Sequence, residues 1–233
     1  MKVKTKVLTG FLKKFRMSGK QQINEAVFRF EKDGLKINAN SPAKLARVMC
    51  WLKTTGFEEY EELGNVGVHD LENVVKILGR FGESIKITKE GNLLTIKGDN
   101  KKVDIPVVAE GFLDTETGEP ALEFQDTFSL TATRLKDVFM DVQVNKDATL
   151  TIETEEKKVV FTNTGKYKFK NTLEAPTCKG GAKTKFGEPF IEAVSNLDGT
   201  LEISMGSDYP VKVMEKLETS VITVIVAPLV GEN

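Results

Sequence analysis

The side chains that could perform acid–base or metal chemistry are few and scattered in this sequence of 233 residues. His69 is the one histidine, and it stands beside Asp70 just before a helical pattern. Cys50 and Cys178 lie far apart and fit no metal-binding spacing, so we expect both to be reduced thiols. Zinc sites and histidine-based catalytic centres need several groups at fixed spacing. We therefore expect no catalytic residue, no metal and no cofactor.

Motifs for nucleotide binding or covalent catalysis are also missing from the sequence. It contains no GxxxxGK[ST], GxGxxG or GxSxG pattern. The acidic pairs Glu58-Glu59 and Glu61-Glu62 fall in a polar run that is typical of a solvated loop. An enzyme built on a duplicated α+β fold stays open as a less favoured alternative.

Charge is distributed unevenly along the chain, although the net charge is only −1. Residues 1–110 carry 20 Lys and Arg against 14 Asp and Glu, whereas residues 111–233 carry 13 against 20. Such asymmetry is typical of nucleic-acid contact or of head-to-tail association, and it can also serve solubility alone.

Basic residues occupy the predicted outer faces of two helices in the first half. At about 100° per residue, Leu8, Phe11 and Phe15 mark one core face, and Leu71 and Val74 mark the other. Lysines and arginines opposite such a face suit contact with phosphates, which needs no code for bases. The predicted DNA-contacting residues, including one from a mixed third helix, are Lys13, Lys14, Arg16, Lys20, Lys76, Arg80 and Lys136. The fourth helix is expected to turn Glu192, Ser195 and Asn196 outward.

The elements that must position these side chains occur twice. The segments that start at Leu71 and Phe190 each predict a helix of about three turns followed by three strands. Helical patterns at Phe11–Phe15 and Leu135–Val142 are each followed by a predicted hairpin. The sequence therefore predicts an internally duplicated α+β fold, with two helices packed on antiparallel sheets in each copy. We place the domains at 1–109 and 125–233, joined by a linker at 110–124.

Three segments resemble one known family. They are NEAVFRFEKDGLKINANSPAKLARV (24–48), VHDLENVVKILGR (68–80) and SDYPVKVMEKL…VITVIVAPLVGEN (207–233). They are similar to the first hairpin, the second helix and the C-terminal strands of the archaeal, viral and eukaryotic DNA sliding clamps of the proliferating cell nuclear antigen family. The last segment is the most specific match, because the family ends in a Pro-bearing strand, an apolar strand and a "L-A-P-K/R" string before an acidic tail.

The resemblance implies a two-domain sliding-clamp fold and a non-enzymatic role in DNA replication and repair. Three subunits would close head to tail into a homotrimeric ring around duplex DNA, without sequence preference. The ring would act as a processivity factor for a DNA polymerase, dock other proteins that carry a clamp-binding peptide, and need an ATP-driven clamp loader. An alternative is a clamp-like accessory subunit that acts as a monomer or in a hetero-oligomer.

Two further sets of site residues follow from the resemblance alone. Subunits would pair through edge strands at 101–107 and 165–171, whose predicted interface residues are Lys101, Lys102, Val103, Ile105, Lys166, Tyr167 and Phe169. Partner peptides would enter a pocket formed by Leu45, Arg47, Phe112, Leu113, Pro210, Ala227 and Pro228. Arg47 departs from the aliphatic residue that is usual in the family.

Nothing in the sequence predicts export or a membrane span. The start MKVKTKVLTG has no apolar signal region, and the apolar run 221–226 is too short to cross a bilayer. We expect an intracellular protein in a reducing compartment: the cytoplasm or nucleoid of an archaeon or of a virus-infected host, or the nucleus of a eukaryote.

Overall fold

The computed structural model describes residues 1–113, 118–146 and 149–229. Residues 114–117 of the predicted linker lie outside the described residues, as does the end of the C-terminal segment at 230–233. Four α-helices occur in the described part: α1 Thr5–Arg16, α2 Leu71–Leu78, α3 Ala132–Gln143 and α4 Glu188–Val194.

Sixteen strands occupy much of the remaining described chain. In the first half they are β1 Lys2–Lys4, β2 Ala26–Glu31, β3 Gly34–Asn40, β4 Ala46–Lys53, β5 Gly64–Val68, β6 Ser84–Glu90, β7 Leu93–Gly98 and β8 Lys101–Pro106. In the second half they are β9 Asp126–Thr131, β10 Leu150–Glu155, β11 Lys158–Asn163, β12 Lys170–Glu174, β13 Lys183–Phe186, β14 Thr200–Met205, β15 Val211–Lys216 and β16 Ser220–Val226.

Both halves have the same topology, which confirms the predicted α+β duplication. Each half runs strand, helix, four strands, helix, three strands. One sheet has the order β1-β6-β7-β8 and another β12-β11-β10-β13. The third sheet, of eight strands, joins the halves in the order β5-β2-β3-β4-β16-β15-β14-β9. The junction is the antiparallel pair β4–β16, with seven residue pairs from Ser220 opposite Leu52 to Val226 opposite Ala46.

The helices pack on the sheets through the predicted apolar stripes. The predicted core residues of α1 and α2 are all buried: Leu8, Phe11, Leu12, Phe15, Leu71, Val74, Val75 and Leu78. In the second half, Phe190 stacks on Phe186 and meets Phe139 edge to face, with ring centroids 4.9 and 5.6 Å apart. Burial of an apolar side chain of this size contributes about 1.5–3 kcal/mol to the stability of the fold. The apolar stripes of the helices and the alternating residues of the strands therefore form the core.

Element lengths differ from the sequence predictions in three places. Helix α1 begins at Thr5, six residues before the predicted start at Phe11. Helix α2 spans eight residues and α4 seven, so the predicted three turns are about two. Gly79 caps α2, and Pro189 stands in the first turn of α4, where a missing N–H is tolerated.

The predicted edge strand at 165–171 is wrong for most of its length, because β12 begins only at Lys170. Asparagine side chains hold the preceding backbone instead. Tyr167 N–H donates to Oδ1 of Asn145 over 2.8 Å, and Phe169 N–H donates to Oδ1 of Asn163 over 2.7 Å. Such side-chain bonds replace a strand ladder locally.

Candidate functional site

Exposed basic side chains mark the outer faces of α1 and α2, which contact each other along the helix layer. Lys13, Lys76 and Arg80 are exposed, as predicted. Lys76 forms an ion pair with Glu72 one turn earlier on α2, which lowers the pKa of that carboxyl. These three side chains present positive charge to solvent on the face of α1 and α2 that is turned away from the sheets of the first half.

Lys14 and Arg16 do not reach that surface, so their predicted solvent exposure is wrong. Lys14 Nζ lies 2.7 Å from Glu215, which is fully buried, and 3.2 Å from Asp198. Arg16 is 9 % exposed, and its guanidinium donates to Oε1 of Gln22 over 3.0 Å. Lys14 thus joins α1 to the second half, whereas Arg16 binds partners within the first half.

Two more of the predicted DNA-contacting residues, Lys20 and Lys136, are paired with acids of the second half. Lys136 on α3 lies 3.1 Å from Asp198, and exposed Lys20 lies 3.3 Å from Glu188. Burial acts to raise the pKa of Asp198, but hydrogen bonds from Lys136 and Lys14 outweigh it and lower that pKa. The predicted outward position of Glu192 is wrong. It is buried and accepts the Lys20 N–H over 2.6 Å and the Gln21 N–H over 3.1 Å.

A cavity of about 620 Å³ lies between α1 and the turn after α2. Lys4, Lys6 and Lys13 line it, together with Glu83. Lys6 is a further basic residue that was not predicted, although its spacing of seven residues from Lys13 places both on one face of α1. The basic face is therefore wider than predicted at the start of α1.

Strand β8 is the open edge of its sheet in the described chain, as predicted for the edge strand at 101–107. Lys101 and Lys102 are exposed, Val103 is half-buried and Ile105 is buried. Beside this strand, a groove against α2 has two adjoining cavities of about 300 and 450 Å³, both lined by Ile77 and Val103. The edge thus offers backbone groups and apolar surface together.

The opposite open edge is β12, next to the C-terminal end of α3. Lys166 and Tyr167 are exposed and Phe169 is half-buried in the segment before it. Two apolar side chains near the end of α3 face solvent: Met140 is 59 % exposed and Val144 is 58 % exposed. This edge therefore also carries apolar side chains that nothing in the described chain covers.

The predicted peptide pocket is assembled only in part. The ends of β4, β15 and β16 bring together Leu45, Arg47, Pro210, Ala227 and Pro228. The Ala227 N–H donates to the Leu45 carbonyl over 2.8 Å.

The two linker residues of the predicted pocket lie elsewhere. They follow the bridge between Gly67 and Val108 at β5, three strands away from β4 in the sheet. Leu113 is buried near Gly67, whereas Phe112 is 84 % exposed. An aromatic pair next to Pro210 was not predicted: the rings of Phe124 and Tyr209 meet edge to face at 6.0 Å.

Comparisons with known proteins agree with this geometry, although no family model matches the chain. A DNA polymerase sliding clamp of Methanococcus maripaludis (strain C7) is 25 % identical over 227 residues, which covers 88 % of the chain and 90 % of that protein. A DNA polymerase sliding clamp of Nanoarchaeum equitans is 30 % identical over 134 residues, which covers 54 % of the chain and 53 % of that protein.

Solved structures show the same fold. The A. fulgidus proliferating cell nuclear antigen, bound to the C-terminal region of FEN-1, superposes with a TM-score of 0.88 at 17 % identity, over 100 % of the chain and 98 % of that protein. A chain of the PCNA2–PCNA3 complex from Sulfolobus tokodaii gives 0.82 at 20 % identity, over 98 % of each chain.

The chain is thus similar over most of its length to archaeal DNA polymerase sliding clamps, and it has the fold of the proliferating cell nuclear antigen.

The potentially reactive groups of the chain form local contacts. His69 Nδ1 lies 3.2 Å from Glu25, and Asp70 caps α2 by accepting the Asn73 N–H. Cys178 is buried and donates to Asp126, and burial together with that carboxylate raises the thiol pKa to about 11. In the described ranges, no group of three or more His, Cys, Asp or Glu side chains could hold a metal ion. None of the described helices is long and apolar enough to cross a membrane.

Proposed function

We propose that this clamp is a non-enzymatic processivity factor, one of three subunits in a closed ring that encircles duplex DNA beside its polymerase inside the cell. The two topological repeats, with a domain boundary at 110–124, supply two wall segments per chain. Their unpaired strands β8 and β12 supply the joints between chains. One observation carries this proposal. In the repeat, β8 and β12 are equivalent to β16 and β4, which pair with each other inside the chain.

The internal repeat predicts how one chain would pair with the next. Strand β8 occupies in the first half the place of β16 in the second, and β12 occupies the place of β4. Since β16 pairs with β4 inside the chain, β8 of one copy would pair antiparallel with β12 of another. An open edge exposes backbone donors and acceptors for such pairing, and a rotation that closes gives a ring.

Transferring the internal register to this joint gives specific residue pairs. The strand registers of the two halves make Lys53 of β4 equivalent to Glu174 of β12, and Ile222 of β16 equivalent to Lys101 of β8. The Val224–Val48 pair then corresponds to Val103 opposite Phe169 of a second copy. The neighbouring pairs would be Ile105 opposite Tyr167 and Asp104 opposite Lys168. Two of these pairs are apolar and one joins opposite charges, which suits an antiparallel joint once residues 167–169, which precede β12, align with the second copy.

Apolar contacts would reinforce the strand pairing. Met17 and Val144 are the C-terminal caps of the equivalent helices α1 and α3. Met17 is 2 % exposed where α1 meets the second half, whereas Val144 is 58 % exposed. A second copy would cover Val144 and Met140 with its groove between α2 and β8. The exposed patch is then explained as an interface, which is its usual meaning.

DNA would pass along the helix layer. Lys13, Lys20, Lys76 and Arg80 are the exposed members of the predicted set, and Lys6 joins them on α1. Lysines and arginines on a helical face contact phosphates without reading bases. The clamp would stay on DNA because the ring is closed, and an ATP-driven loader would open it.

Partners would dock on the sheet side, where Leu45, Ala227 and Pro228 meet. The related A. fulgidus protein was solved with the C-terminal region of FEN-1 bound, which supports peptide docking as the mode of partner recruitment. Arg47 occupies a position opposite Ile225 in the same surface. A clamp-binding peptide of a polymerase or repair protein is the proposed ligand.

A hetero-oligomeric ring is the second candidate, and one observation favours it. The transferred register sets Lys102 opposite Lys170 of an identical copy, with Lys101 and Lys168 close by. Like charges directly opposite destabilise a strand pair. A sister subunit with an acidic edge would relieve this repulsion, and the S. tokodaii structure contains two different subunits.

Retention on circular DNA tests the proposed function. The clamp is loaded onto a nicked circular plasmid with its cognate loader and ATP, and bound protein is measured after gel filtration before and after the circle is cut. A closed ring stays on the circle and slides off the linear product. Equal retention on both forms would overturn the topological mechanism.

A further inference from the structure

A row of four lysines crosses the sheet β1-β6-β7-β8 on the face turned away from the helices. In the strand register, Lys2 lies opposite Lys86, Lys86 opposite Lys97, and Lys97 opposite Lys102. All four are exposed, while neighbours on the other face, such as Ile85 and Ile96, are buried. We call these four residues the lysine row.

The lysine row is electrostatically unfavourable for the fold itself. Side chains directly opposite on adjacent strands are close, and like charges there destabilise the pair. Lys2 is relieved by Glu58 and Lys102 by Asp104, each at 2.9 Å. Among the described residues, no carboxylate lies within ion-pair distance of Lys86 or Lys97. The centre of the row therefore holds two adjacent positive charges without a close counter-ion.

The second half shows that the fold does not require this row. The N-cap residues Lys4 of α1 and Thr131 of α3 align the two halves. The positions equivalent to the lysine row therefore lie on β9, β14, β15 and β16. They are occupied by Ser129, Glu202, Met214 and Thr223. The same topology is thus built with no lysine in that row. Four positive charges in line are a property of the first half alone.

We propose that the lysine row binds the phosphate backbone of single-stranded nucleic acid on the outer face of the clamp. Adjacent strands are about 4.8 Å apart, so the four ammonium groups span about 14 Å along a nearly straight line. Lysine acts as a point charge toward phosphate and gives no planar, base-specific contact. The row contains no aromatic side chain for stacking on bases, so binding is independent of sequence.

A single strand fits this surface better than a duplex or an acidic protein segment. A flexible strand can follow a straight row and bring several phosphates to it. The phosphates of a duplex follow a helical path on a cylinder, so only a short arc meets a flat face. Lys86 and Lys97 do not line the cavity beside α1 or the groove between α2 and β8, and the row itself offers an acidic peptide no apolar anchor. The row lies across the sheet from the helix face, and its binding does not depend on ring closure.

Fluorescence anisotropy with a labelled oligo-dT of about 15 nucleotides tests the proposal. Neutralising about four phosphates predicts that log K falls with log salt concentration with a slope of about −3. Lys86→Glu/Lys97→Glu should weaken binding at least about tenfold and make the slope shallower by about 1. These two positions are used because they lie in central strands, away from the β8 edge.

The matched control is Lys32→Glu/Lys179→Glu, which makes the same change in net charge at two exposed positions outside the sheet that carries the row. It should leave oligo-dT affinity within about twofold. An equal loss in both variants, or no loss in the row variant, would overturn the proposal. So would tighter binding of the matched duplex, or binding of a poly-glutamate peptide through the same lysines without binding of oligo-dT.

Failure of this proposal is distinguishable from failure of the ring mechanism. A Met140→Glu/Val144→Glu variant, which disrupts the proposed joint, should lose retention on the circular plasmid and keep oligo-dT binding through the lysine row. The row variant should show the reverse pattern.

Discussion

The ammonium nitrogen of Lys14 lies 2.7 Å from a carboxylate oxygen of Glu215, although the two residues are 201 positions apart in sequence. Glu215 is completely buried and also accepts the Asp198 N–H over 2.7 Å. A buried carboxylate is tolerated only with such partners. The pair fixes α1 of the first half against the strands of the second, beside the β4–β16 junction.

Removing Glu215 should therefore destabilise the whole chain. Glu215→Ala leaves the Lys14 ammonium half-buried beside a cavity, and we expect a loss of about 3 kcal/mol in the free energy of unfolding, measured by urea denaturation. The double variant Lys14→Met/Glu215→Met should lose less, because no charge stays buried. Lys20→Ala/Glu188→Ala removes an exposed pair and should change stability by at most about 0.5 kcal/mol. A Glu215→Ala effect as small as that of the control would contradict this role.

The exposed apolar residues of α3 should control assembly. Met140→Glu/Val144→Glu adds charge to the patch that a second copy would cover, so it should shift sedimentation toward the single chain with little change in melting temperature. Leu217→Glu changes another exposed apolar side chain, far from both edges, and should leave the association state unchanged. If both variants associate like the wild type, the patch is not the joint.

The helix-face lysines should set how well the clamp supports its polymerase. Lys13→Glu/Lys76→Glu/Arg80→Glu reverses three exposed charges, and we expect shorter extension products per binding event on a primed circular template, with an unchanged melting temperature. Lys32→Glu/Lys179→Glu serves as the charge control. Undiminished product length in the triple variant would remove these residues from the DNA track.

Relief of repulsion in the lysine row should be visible as increased stability. Lys97→Thr replaces the central charge between Lys86 and Lys102 with a residue that suits a strand. The free energy of unfolding should rise by about 0.2–1 kcal/mol at low salt, and the gain should shrink as salt screens the charges. A loss of stability at low salt would show that the row is not repulsive.

Stability near pH 4 should depend on Asp126. Burial acts to raise its pKa, but hydrogen bonds from the Lys179 N–H, the Cys178 thiol and the Gly180 N–H outweigh it, so the pKa is lowered. A lowered pKa gives stability that is present above the unfolded value of about 3.9 and is lost as the pH falls through the folded value. Asp126→Asn should cost about 1.5 kcal/mol or more at pH 7, and the difference from wild type should shrink below about pH 4. A difference that stays constant from pH 7 to pH 3 would contradict this.

Periodicity in the sequence was enough to predict the duplicated α+β fold. The helix stripes and the alternating strands depend on local spacing, which the sequence displays directly. Residues such as Leu8 and Phe190 are buried as predicted. The edge strand at 101–107 was also predicted, because its turn and alternation are local signals.

The errors came from contacts between distant residues. Lys14 lies next to Lys13, and only its partner in the second half decides that it turns inward. One signal was available: period-two alternation puts Glu215 on the same face as Val211 and Val213, which marks a buried carboxylate in need of a cation. Similarly, nothing local in the segment 165–169 shows that Asn145 would hold its backbone away from a strand.

The mass of the wild-type clamp in solution tests the central claim most directly. Light scattering across a range of protein concentrations should give three times the mass of the chain, and the single-chain mass should return in Met140→Glu/Val144→Glu. A wild-type chain that stays monomeric at the highest concentration, alone and with DNA, would contradict the closed homomeric ring.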